Sequence, residues 1–94
     1  MPTQITQVDD PDTGKAIFRV EGQVLRDDAI LLDRITSDLV DSTGRLVEID
    51  LADADYLDSD AASILKRLES GGDIKITGVE ILLQKAVNEV ERHS

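Results

Sequence analysis

The chain has no cysteine and no tryptophan, and its aromatic residues are Phe18 and Tyr56. Without cysteine there is no disulfide, no thiolate metal site and no thiol nucleophile. With so few rings, the core has to come from Ile, Leu and Val, and stacking platforms for bases or sugars are disfavoured. Basic residues are scarce too: ten Lys and Arg against twenty Asp and Glu, a formal charge of −10. Apart from Lys66-Arg67 they stand singly, so neither nucleic acid nor an anionic membrane surface is an expected partner. The longest apolar run is Ala29-Ile30-Leu31-Leu32, far short of a membrane span. The first ten residues, MPTQITQVDD, lack the basic start and apolar stretch of a signal peptide. A cytoplasmic protein is expected. Its acidity reads first as a surface that repels its own kind, and second as a complement to a basic surface on a protein partner.

What is present is a regular alternation of elements. Ninety-four residues suit a single domain, 1–94, with one modest core. Ile5 to Val8 reads as a short edge strand. The turn formers Asp9-Asp10-Pro11-Asp12-Thr13-Gly14 then make a hairpin loop. Lys15 to Val20 alternates, with Ala16, Phe18 and Val20 on one face, and Gly22 is expected to end that strand. A helix follows Asp27-Asp28, with Leu31, Leu32, Ile35 and Leu39 as its apolar stripe and Ser42-Thr43-Gly44 as its stop. Val47-Ile49-Leu51 reads as a buried strand, and an Asp- and Ala-rich turn follows it. A second helix then carries Ala61, Ile64, Leu65 and Leu68 on one side and ends at Ser70-Gly71-Gly72. Ile74 and Ile76 mark a short strand. Past Gly78, a last helix is expected on Val79, Leu82, Leu83, Ala86, Val87 and Val90. The order β-β-α-β-α-β-α gives an α/β fold with a mixed, mostly parallel four-stranded sheet packed by helices.

The stretch Leu46 to Leu68 organises the chain, because a buried strand there feeds a helix N-terminus through a polar turn. Asp50, Asp53, Asp55, Asp58 and Asp60 invite a metal, but no EF-hand register fits them. Counting from Asp53 puts Leu57 and Ile64 at ligand positions; counting from Asp58 puts Ala62 and Ser63 where a ligand and Gly are needed. No metal is expected. An aspartyl phosphotransferase reading would use Asp53 and Asp55 with Lys75, in a chain too short for the rest of such an enzyme. His93, the one histidine, is penultimate, and no Gly-rich phosphate loop precedes a helix. No cofactor and no catalytic residues are expected. Structurally, Asp58 reads as an N-cap with Ser59 and Asp60 in the first helical turn, where acid suits the helix dipole.

Three stretches also resemble one family. Phe18-Arg19-Val20-Glu21-Gly22-Gln23-Val24 looks like its second strand. Ile49-Asp50-Leu51 with Tyr56-Leu57-Asp58-Ser59 is similar to its signature of "DL", a short turn, an aromatic and "DS". Ile74-Lys75-Ile76-Thr77-Gly78-Val79 resembles its next strand and the start of a helix. The family is the STAS domain, found in bacterial anti-sigma-factor antagonists and appended to sulfate transporters. The resemblance implies a non-enzymatic protein-interaction module in bacterial signalling, with a protein partner such as an anti-sigma-factor kinase. It implies a binding surface on Asp53, Asp55, Asp58, Ser59, Asp60 and Ser63, with the turn from Gly22 to Asp28 beside it and Tyr56 as a buried anchor. In the family motif, Asp-Ser-Ser/Thr-Gly-Leu-Gly, the second hydroxyl is phosphorylated. Here Asp60 holds that place, and Ala61, Ala62 and Ser63 replace Gly-Leu-Gly. Asp60 carries about one negative charge where phosphate would carry nearly two. Two readings follow: an anti-sigma-factor-antagonist-like protein, or a cytosolic STAS accessory subunit of a lipid or anion transporter complex. A nucleotide-binding STAS domain lacks phosphate-directed bases near the loop. No final strand like that of many relatives is expected after the last helix, and an edge left uncovered there would leave room for a homodimer.

Overall fold

The computed structural model describes residues 3–81. The elements are β1 (Gln4–Asp9), β2 (Ala16–Val24), α1 (Arg26–Thr43), β3 (Val47–Asp50), β4 (Ala54–Leu57), α2 (Ser59–Ser70) and β5 (Ile74–Thr77). Residues 79–81 begin a further helical turn, and Leu82, Leu83, Ala86, Val87 and Val90 of the expected last helix lie outside the described residues. No helix among the described residues is long and apolar enough to cross a membrane.

The hairpin β1–β2 forms because Asp10 organises the turn. Its carboxylate accepts from the Thr13 hydroxyl at 2.9 Å and the Asp12 N–H at 3.0 Å, and Gly14 takes a positive φ of 73°. The Thr13 hydroxyl, then the Asp12 N–H, hold the Asp10 carboxyl below its ordinary pKa. The sheet order is β1-β2-β3-β5, with β1 antiparallel to β2 and the β2–β3 and β3–β5 pairs parallel. Alternation sets one face as the core: Ala16, Phe18 and Val20 of β2, Val47 and Ile49 of β3, and Ile74 of β5 are buried. Opposite faces carry polar pairs such as Lys15–Glu48 at 3.4 Å.

The sheet has five strands rather than the expected four. β2 does not stop at Gly22 but runs on to Val24 and changes partner: its first half pairs with β3 and its last residues pair, parallel, with β4. Gly22 makes this bend possible with φ 86°, and the register shifts between Gly22 and Gln23. Gly22 pairs with Ala54 and Gln23 with Tyr56, which leaves Asp55 as the extra residue of a β-bulge.

The helices follow the expected spans more closely than the expected faces. α1 ends in the left-handed Gly44 (φ 68°), whose N–H returns to the Val40 carbonyl. Its buried line is Ala29, Leu32 and Thr36. Leu31, expected on the stripe, is 47% exposed, because it sits about 100° around the helix from Leu32. Thr36 is tolerated in the core because its hydroxyl donates to the Leu32 carbonyl at 2.6 Å. α2 buries Ala61 and Leu65.

Candidate functional site

The N-termini of α1 and α2 meet at the end of β2, and Asp58 joins them. As the N-cap of α2, it accepts from the Ala61 N–H through Oδ1 at 2.6 Å. Through Oδ2 it accepts from the Arg26 N–H, at the first turn of α1, at 3.1 Å. Its own N–H donates to the Val24 carbonyl at 3.1 Å. One carboxylate therefore satisfies open donors of two helices and ties both to the strand between them. The Asp28 carboxylate adds a local clasp by accepting from the Leu25 N–H at 3.0 Å.

Asp58→Ala is expected to lower stability by about 2–3 kcal/mol, a lost cap plus a second lost hydrogen bond. Asp58→Asn, which retains one acceptor oxygen, should lose about 1 kcal/mol. Urea-unfolding midpoints would compare them; equal losses for Asn and Ala would refute the double role.

The turn before this point is also held by a carboxylate of the chain's own, with one backbone bond beside it. Asp50 Oδ1 accepts from the Ala52 N–H at 2.9 Å, and the Ala54 N–H donates to the Leu51 carbonyl at 3.1 Å. Asp50, one of the five aspartates of the stretch, is thus a turn-forming residue. Among the described residues, no group of three or more His, Cys, Asp or Glu side chains is placed to hold a metal. Lys75 stands in register with Glu48 and not beside Asp53 and Asp55.

Asp53, Asp55, Ser59, Asp60 and Ser63 are exposed, while Asp58 and Gly22 are half-buried. The register of Gly22 with Ala54 and the Arg26–Asp58 bond set the turn after β2 beside the start of α2. Asp60 and Ser63 lie one turn apart on α2. Tyr56 is not a buried anchor: it is 51% exposed, on the strand that the bulge at Asp55 turns outward. Leu25 nearby is 42% exposed. The end thus carries Asp27, Asp28, Asp53, Asp55 and Asp60 around two exposed apolar side chains. A glycine inside an alternating strand, Gly22, was the sequence signal for the bulge that presents Tyr56.

Neither a protein-family profile nor a curated protein sequence matches the chain. Solved structures do match it. An anti-sigma-factor antagonist STAS domain from Rhodobacter sphaeroides aligns with a TM-score of 0.62 at 19% identity, over 88% of this chain and 94% of that one. A protein with a SpoIIAA-like fold from Shewanella loihica aligns at 0.59 and 17% identity, over 81% and 66%. The anti-sigma factor antagonist SpoIIAA in its unphosphorylated form aligns at 0.55 and 11% identity, over 80% and 71%. The chain has a STAS-like α/β fold, as its motifs implied.

Proposed function

We propose that the chain is a non-enzymatic protein-interaction domain of the anti-sigma-factor-antagonist type, working in the cytoplasm of a bacterium. Its partner surface is the end built by Asp53, Asp55, Asp58, Ser59, Asp60 and Ser63 with Gly22 alongside. The observation that carries this reading is the Asp58 bridge. It fixes the two helix starts to one strand and leaves Ser59, Asp60 and Ser63 exposed on a rigid turn, which suits recognition by a partner's surface. Solved STAS domains of similar fold are antagonists of anti-sigma factors, which supports a protein partner of that kind.

Asp60 takes the phosphosite-equivalent position, exposed in the first turn of α2. A Ser/Thr kinase has no hydroxyl to modify there, and the charge is permanent. In this reading the chain is held in a state resembling the phosphorylated one. The same observation favours a second reading, in which the domain has left the phosphoswitch and serves as an accessory subunit of a lipid or anion transporter complex.

Affinity capture from native-host lysate with wild type and Asp60→Ser, read by mass spectrometry, separates the two. The first reading expects a kinase-type anti-sigma factor, enriched at least tenfold by Asp60→Ser. The second expects an ATPase and a permease, recovered equally by both baits. Recovery of neither class would sink both.

A further inference from the structure

Among the described residues, β5 lies at the end of the sheet order, beside β3 on one side. The Val47 N–H donates to the Asp73 carbonyl and the Leu51 N–H to the Thr77 carbonyl. Backbone groups of the odd-numbered residues of β5 therefore face β3, and those of Ile74 and Ile76 face outward. Outward groups on an edge strand are a template for another strand. One of them is already taken: the Ile76 N–H donates to the Glu69 carboxylate at 3.0 Å, across the turn that joins α2 to β5. Glu69 lies in the last turn of α2, where a negative charge opposes the helix dipole. Its position is unfavourable for the helix and useful for the strand edge.

We propose that Glu69 is an edge lock, which by occupying the outward Ile76 N–H keeps β5 from pairing with β5 of a second copy of this chain. The pairing it blocks has a defined register. If Ile76 of each strand exchanges bonds with Ile74 of the other, Lys75 falls opposite Lys75 as a non-hydrogen-bonded pair, with Cα atoms about 4.5 Å apart. Two facing ammonium groups oppose that pairing as well. The side chain of Lys75 is exposed.

A cysteine at this position reports on the pairing, because about 4.5 Å lies within disulfide range and the chain has no cysteine of its own. It also removes the facing lysines, so that Glu69 is left as the lock. The full chain would be prepared as Lys75→Cys alone and with Glu69→Ala, Glu69→Asp or Glu69→Gln, with circular dichroism to establish that each is folded. After mild oxidation at equal concentration, non-reducing gels and sedimentation would measure the linked dimer. Glu69→Ala and Glu69→Asp, whose side chains do not reach the Ile76 N–H, should give at least tenfold more dimer than Lys75→Cys alone. Glu69→Gln keeps an acceptor oxygen at full reach and should stay near the single variant. Glu69→Asp carries the test should Glu69→Ala not fold. Equal cross-linking in all four, or Glu69→Gln behaving as Glu69→Ala, would overturn the lock.

Discussion

Gly78→Ala is expected to destabilise the chain by about 2–5 kcal/mol, from the left-handed conformation it imposes on alanine and from overpacking. Gly78 has φ 79°, and a Cβ there would stand 2.4 Å from the Ala52 backbone N and 2.9 Å from both its Cα and Asp50 Oδ1. Two of these atoms are backbone of the turn between β3 and β4, and the Asp50 carboxylate is held there by the Ala52 N–H, so none gives way cheaply. Gly44→Ala isolates the contact. Gly44 has a similar φ of 68° with nothing within 4 Å, so it should cost only the conformational part, about 1–2 kcal/mol. A domain of this size holds roughly 5–14 kcal/mol in all. Urea-unfolding midpoints decide it: Gly78→Ala no worse than Gly44→Ala would mean that the close approach carries no energy. Because the same turn leads into β4 and Asp58, the proposed function adds that Gly78→Ala weakens capture of the partner.

Ile49→Ala should cost about 2–5 kcal/mol through lost burial and the cavity left behind. Ile49 is fully buried on β3, the strand flanked by β2 and β5, and stands in register with Phe18 on one side and Ile76 on the other. With one phenylalanine and no tryptophan, the core has few large side chains that could shift to fill the gap. Ile49→Val should cost about 0.5–1.5 kcal/mol. Leu46→Ala, just outside β3 and 60% exposed, should be nearly silent. Thermal and urea unfolding of the three variants would check that order, and a loss at Leu46 rivalling that at Ile49 would contradict the placement of the core.

Of the seven residues named from the sequence, Gly22 pairs with Ala54, which stands between Asp53 and Asp55, and Asp58 caps the helix that carries Ser59, Asp60 and Ser63. Asp at an N-cap position before a helical apolar pattern has one strongly preferred use, which the Ala61 N–H bond realises. Its second bond, to Arg26, joins residues 32 apart in sequence, and no spacing rule predicts it. Tyr56 went the other way. The family resemblance implied a buried anchor, yet the bulge at Asp55 sets it outward.

The sequence by itself determined the α/β class, the mixed sheet, the approximate places of the two helices, the Asp58 cap of the second, the glycine stop after each, and the acidic composition. Each rests on periodicity, or on side chains acting within a few residues of themselves. Tertiary structure alone decided the rest. Ala54–Leu57 has no alternation to mark it as a strand, and it pairs because the bend at Gly22 leaves the end of β2 without β3. Thr36 rather than Leu31 faces the core, because the sheet selects which line of α1 it covers and the Leu32 carbonyl satisfies the hydroxyl. Gly78 is required by a backbone that approaches from 26 residues earlier in the chain. Glu69 closes a strand edge that exists only once β5 has docked on β3. These features share one physical cause: the partner that gives each residue its role is distant in the chain, and only packing brings it near.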